Sequence, residues 1–171
     1  MGQQSVQILG TGQLLELSRK LKAAGGARLK ANFGRRVRRA AEPLRDDMRQ
    51  TIRILPIKSD PRKSGNRGGP SPISRPLRAT IAEQVRIAVR TSGNPGARVW
   101  LDKGGLPPGL PGVAEALNSK GRNRHPVFGN KRRWVQQTTT PLWWDRTVRA
   151  HTPRMTREIA HVLEDVRGWI E

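Results

Sequence analysis

The sequence predicts an α+β domain: a small, mainly antiparallel sheet of three to four strands packed by a long, kinked N-terminal helix and a C-terminal helix, with a long basic loop reaching outside it. Three observations carry this expectation. Apolar residues recur at helical spacing at both ends of the chain, they alternate with polar ones in the middle, and Gly, Pro and Ser punctuate the segments between. The 171 residues fit one domain over 1–171, since domains run to roughly 100 to 200 residues.

From Gln13 the apolar positions are Leu14, Leu17, Leu21 and Ala24, then Leu29, Phe33, Val37, Ala41, Leu44, Met48 and Ile52. Such spacing lays one stripe along a helix. Thr11 is a fitting N-cap, whereas each of Gly25 and Gly26 costs about 1 kcal/mol in a helix interior, and Pro43 kinks or restarts the segment. Two or three coaxial pieces ending near Pro56 are expected. Residues 59–76 are rich in Pro, Gly, Ser and bases and carry the isolated Ile73, too little apolar surface to offset ordering entropy. They predict an extended, mobile loop.

Leu77 to Ala82 suits one helical turn. Val85, Ile87 and Val89 then alternate with Arg86, Ala88 and Arg90 as a half-buried strand, and Ser92-Gly93-Asn94-Pro95-Gly96 turns the chain into a returning strand at Arg98 to Asp102. Gly104 to Gly112 is irregular. A short helix is expected at Val113 to Asn118 and a third strand at Arg133 to Thr139. From Leu142, Trp144, Val148, Met155, Ile159, Val162, Val166 and Ile170 define the clearest helix, in which Pro153 predicts a kink or a restart with Thr152 as N-cap.

Several chemistries have no residues to support them. Cysteine is absent, which excludes disulfides, thiolate zinc sites, iron-sulfur clusters and a cysteine nucleophile. His125, His151 and His161 lack the i, i+4 spacing of a helical zinc pair, and Glu158 with His161 gives only one copy of a di-iron half-motif. No phosphate-binding glycine loop or nucleophile elbow occurs, and adjacent Asp46 and Asp47 diverge by about 100° on a helix. The reading is of a non-enzyme without cofactor or metal. No apolar stretch approaches the roughly 20 residues of a membrane span, and the N-terminus lacks a signal-peptide pattern, so a cytosolic protein without membrane contact is expected.

Charge is more informative. Lys and Arg total 33 against 13 acids, a net +20, and the bases are unevenly placed. Arg19, Lys20, Lys22, Arg28, Lys30, Arg35, Arg36, Arg38 and Arg39 follow one another without an acid, as do Lys120, Arg122, Arg124, Lys131, Arg132 and Arg133. The loop adds Arg62, Lys63 and Arg67. Such runs suit phosphate backbones or acidic partners, and they equally suit a solvated face. Arg35, Arg36, Arg38, Arg39, Arg62, Lys63 and Arg67 are the candidate contacts to DNA or an acidic partner. Of the five tryptophans, Trp100 and Trp134 fall in expected strands. Trp143 and Trp144 diverge by about 100° on a helix, so one of them is expected to serve as an interface anchor.

Arg124-His125-Pro126-Val127-Phe128-Gly129-Asn130-Lys131-Arg132-Arg133-Trp134-Val135-Gln136-Gln137, followed by Pro141-Leu142-Trp143-Trp144, resembles the signature of the tail-completion and head-tail joining (neck) proteins of long-tailed double-stranded DNA bacteriophages. The order of parts is similar as well: a basic N-terminal helix interrupted at Ala40-Ala41-Glu42-Pro43, a loop, a hairpin, the His-Pro-Val-Phe-Gly-Asn turn, a Trp-bearing strand and a C-terminal helix. The insertion from Gly104 to Gly112 and the doubled tryptophan depart from that pattern. The resemblance implies a virion structural protein, made in the host cytoplasm and assembled as a ring, hexameric for preference, around the DNA channel. It implies contacts with a head-closure or adaptor protein, with a tail terminator or tail tube protein, and with genomic DNA. His125, Pro126, Phe128, Asn130, Trp134, Trp143 and Trp144 are then the candidate subunit interface. The motif also has a direct physical reading: His125-Pro126 is rigid and extended, Gly129-Asn130 suits positive φ, and the turn between presents Phe128, to a partner or to the domain's own core. The alternative function is a nonspecific nucleic-acid-binding monomer or dimer.

Overall fold

The computed structural model describes residues 5–9, 12–23, 27–59, 77–92, 95–106, 112–127 and 130–168. The expected loop 59–76 lies, apart from Ser59, outside them.

The described residues start with a strand that hydrophobic patterning does not reveal, β1 (Ser5–Leu9), and a helix, α1 (Gly12–Ala23). α2 (Ala27–Ile54) then runs for 28 residues, about 42 Å at 1.5 Å per residue. Its buried residues, Phe33, Val37, Ala40, Ala41, Leu44, Met48 and Ile52, form the expected stripe. Pro43 sits inside α2 without ending it. Ala41 and Leu44 on either side are wholly buried, and that packing offsets the backbone hydrogen bond that proline forfeits. The N-terminal region is thus two helices, the second continuous through its proline.

The described strands form two sheets rather than one sheet of three to four strands. The first has the order β1-β4-β3, where β3 is Val85–Arg90 and β4 is Gly96–Leu101. All pairs are antiparallel, with Ser5 opposite Trp100 and Val85 opposite Leu101. Ala97, Val99 and Leu101 of β4 face the core and Arg98 and Trp100 lie on the other side, half-buried. The second sheet has the order β2-β6-β5, from β2 (Lys58–Ser59), β5 (Arg122–Val127) and β6 (Asn130–Thr138). β5 reads Arg-Asn-Arg-His-Pro-Val, which offers no apolar alternation. Its Pro126 is tolerated because β5 is an edge strand.

Two short helices, α3 (Leu77–Glu83) and α4 (Val113–Ser119), lie near their expected places, and α5 (Trp143–Arg167) closes the fold. Thr152 is not an N-cap: α5 runs through Pro153, and Thr152 Oγ1 donates to the Val148 carbonyl one turn back at 2.9 Å. One buried cluster joins α2, α3, β3, β4, α4 and α5. The C-terminal end of α2 is tied down by polar contacts as well. Arg78 donates to the Leu55 carbonyl at 2.8 Å, and Thr139 Oγ1 donates to the Pro56 carbonyl at 2.7 Å, joining α2 to the root of the second sheet. Between α4 and β5, Gly121 takes φ 60°. A Cβ there would stand 2.6 Å from the Thr139 carbonyl oxygen, so this turn admits only glycine.

Candidate polyanion-binding surfaces

Because the core stripe occupies one face of α2, its bases emerge on the rest of the cylinder. Arg35, Arg38 and Arg39 are exposed, and Arg36 is half-buried against α5, where it pairs with Asp165. The four arginines therefore do not act as one patch. Arg36 and Arg39 face a groove between α2 and α5 that also holds Asp46, Arg154, Glu158 and Asp165, so bases of one helix meet acids of the other. Lys30, Arg35 and Arg38 rim a shallower concavity on the β3 side, floored by Gly34, Val89 and Thr91. Arg35 reaches both, and its Nη2 donates to Asn32 Oδ1 at 3.3 Å. The exposed positive surface of α2 is thus centred on Lys30, Arg35 and Arg38. Arg62, Lys63 and Arg67 lie outside the described residues.

The adjacent aspartates are committed separately. Arg45 holds Asp46 in a two-pronged contact at 2.7 and 3.0 Å, and this hydrogen bonding holds the Asp46 carboxyl below the usual carboxylate range while raising the Arg45 guanidinium. Asp47 Oδ2 lies 2.8 Å from His151 Nε2 of α5. Arg49 donates to the Val85 carbonyl at 2.9 Å, and burial, reinforced by Arg45, pushes its guanidinium down. Among the described residues, no three His, Asp or Glu side chains converge as a metal site would require. Nor is any described helix long and apolar enough to cross a membrane.

The second surface is the β5–β6 hairpin. Val127 pairs with Asn130, and the two residues between them, Phe128 and Gly129, lie outside the described residues. Towards the tip the hairpin is solvated: Asn130 through Trp134 are all exposed, Trp134 by 51%. The guanidinium of Arg124 stacks over the Trp134 ring, 5.3 Å from its centroid, and Trp134 Nε1 donates to the Lys131 carbonyl at 2.8 Å. Asn130 Oδ1 accepts from the Arg132 backbone N–H at 3.0 Å. His125 and Pro126 are half-buried on β5, with His125 Nδ1 3.1 Å from the Pro126 carbonyl.

Of the expected interface set, His125, Pro126, Asn130 and Trp134 share this hairpin, and Trp143 and Trp144 do not join them. Both are buried, each 3% exposed, and they meet edge to face with centroids 5.6 Å apart and planes at 84°. Divergence by about 100° exposes one of two neighbours only on a helix covered from one side. α5 packs against both α2 and α4, and both indoles belong to the buried cluster, so neither tryptophan is left for a neighbouring chain. Conversely, sequence patterning does not reveal the stacking of Arg124 on Trp134. Its signal lies in the acid-free basic run, but pairing the two residues requires β5 as a strand.

No family model, no curated protein and no solved structure matches the chain.

Proposed function

We propose that the chain is a structural virion protein of a tailed bacteriophage, acting as a ring at the head-tail junction around the DNA channel. The observation that carries this reading is the segment 124–137, whose resemblance to neck proteins coincides with a solvated two-stranded arm. Over residues 130–136 β6 has β5 on one side and none of the described strands on the other, since β2 pairs only with Gln137 and Thr138. Open strand edges template pairing with another chain, and a two-stranded hairpin gains stability from a third strand. The open edge of β6 over residues 130–136 supplies the contact that closes a ring of about six copies by head-to-tail repetition. The Lys30, Arg35 and Arg38 surface of α2 faces the channel DNA or an acidic neighbouring ring. Head-closure and tail-terminator proteins lie above and below.

Electron microscopy and native mass spectrometry of assembled particles test this directly: a closed ring coaxial with the DNA is expected. Particles containing only isolated monomers or twofold dimers of the chain would overturn it. Purified protein alone is a weaker test, because neighbours drive assembly by mass action. A second reading, a nonspecific nucleic-acid-binding monomer or dimer, is favoured by one feature, the six bases between Lys120 and Arg133 with no acid among them. Stoichiometry separates the two.

A further inference from the structure

Directly opposed residues of antiparallel strands emerge on the same face, and every second residue shares it. β5 and β6 set Arg122 opposite Thr138, Arg124 opposite Gln136 and Pro126 opposite Trp134. One face of the hairpin therefore carries two arginines, a glutamine and an exposed tryptophan. The indole N–H of Trp134 is already committed to the Lys131 carbonyl. What the side chain offers to solvent is ring surface, held in place by that bond and by the stacked Arg124.

Beside it, Lys120, Arg122, Arg124, Asn123 and Gln136 line a concavity of about 270 Å³ where the hairpin meets α4. The flanking acids are committed elsewhere: Glu115 binds Lys103 at 3.1 Å, and Asp145 accepts from Asn118 at 2.7 Å. Like charges gathered without a counter-charge mark a place for an anion with several acceptor oxygens.

We infer that this face binds single-stranded nucleic acid, with an unpaired base stacked on Trp134 and the adjoining phosphates on Lys120, Arg122 and Arg124. Charge alone would admit any polyanion. The exposed ring decides among them: a duplex keeps its bases stacked on each other, and an acidic peptide has no flat apolar group for the ring, whereas a single strand brings both phosphate and base. Trp134 is thereby assigned to nucleic acid rather than to a neighbouring subunit, and the inference holds for the isolated chain whether or not it forms rings.

Fluorescence anisotropy of the full chain with labelled oligothymidine, with the matched duplex and with poly-glutamate as competitor tests it. Trp134→Ala should weaken oligothymidine binding by roughly 5- to 150-fold and leave duplex binding unchanged, with Trp134→Phe retaining most of the affinity. The double change Arg122→Gln and Arg124→Gln should lower the magnitude of the salt slope by about 0.7 for each phosphate that is no longer neutralised. All three variants are at exposed positions, and circular dichroism confirms their folding. Unchanged oligothymidine affinity in Trp134→Ala overturns the inference. So does displacement by poly-glutamate at equal charge, which would make the face a docking site for acidic protein.

Discussion

Asn118 Oδ1 accepts the backbone N–H of Trp144 at 2.9 Å, so the first turn of α5 is capped by a side chain from α4, 26 residues earlier. The same asparagine donates from Nδ2 to Asp145 Oδ2 at 2.7 Å, and its carbonyl accepts from the Leu142 N–H at 2.7 Å. Local capping is impossible here, since the residue before the helix is Leu142. Asn118 is buried and caps the helix from across the fold. Asn118→Ala should therefore cost about 2 kcal/mol, the upper range for a lost cap, because it also strands a partly buried carboxylate. Asp145→Asn keeps an acceptor for Nδ2 and should cost less. Urea denaturation of both variants checks the order, and equal losses would assign the energy to the charge instead of the cap.

Leu142 itself takes φ 63° and ψ 26°, the one non-glycine residue at positive φ among those described. The left-handed region costs a leucine roughly 1 kcal/mol or more. At 39% exposure its side chain recovers little of this by burial. Leu142→Asn should raise stability by up to about 1 kcal/mol, and Leu142→Val should lower it by a similar amount, since a branched Cβ crowds the left-handed conformation. Midpoints of thermal unfolding read the ranking. A valine variant as stable as the asparagine one would mean that the backbone adopts another conformation at this point.

The arginines of α2 separate into two kinds. Arg36→Gln removes the link to Asp165, whose partners are 37% and 50% exposed, so at most about 1 kcal/mol of stability should be lost. Changing Lys30, Arg35 and Arg38 together to Gln should leave unfolding nearly unchanged and flatten the salt dependence of DNA retention in assembled particles. Filter retention across a salt series gives the slope. If the triple variant keeps the full slope, these residues are solvated charge and the α2 surface does not meet DNA.

What can be read from the sequence follows from how each element meets its surroundings. α2, α3, α4 and α5 are covered by the core on one stripe or at one end, so periodicity gives their places to within a few residues. β3 and β4 likewise bury alternate side chains. β1 and β5 are not legible, for opposite reasons: β1 lies directly before a helix with only Val6 and Ile8 as alternating apolar positions, and β5 is stabilised by pairing with β6 rather than by burial. Splitting the strands into two sheets is a long-range outcome, fixed by Ser5 meeting Trp100 and Lys58 meeting Thr138. No local pattern encodes it. The same holds for the candidate site, where the bases are visible as a run but their convergence on Trp134 needs the register of β5 against β6.

Trp143 offers the sharpest test of the packing. It belongs to the buried cluster together with Trp144, and its Nε1 is buried without a hydrogen-bond partner. Two effects therefore oppose each other when the indole is trimmed. Trp143→Ala removes the whole ring from the buried cluster and should cost about 3 to 5 kcal/mol through lost transfer energy and the remaining cavity. Trp143→Phe leaves a much smaller void, on the order of 1 to 2 kcal/mol, and at the same time removes an unsatisfied donor whose burial costs about 1 to 3 kcal/mol. The phenylalanine variant should thus sit within about 1 kcal/mol of the parent, far above alanine. Urea unfolding with an unchanged m-value is the measurement, since a shift in midpoint alone reports stability. A loss for phenylalanine close to that for alanine would mean that the indole N–H is satisfied and that the energetic role of Trp143 lies in that bond rather than in packing.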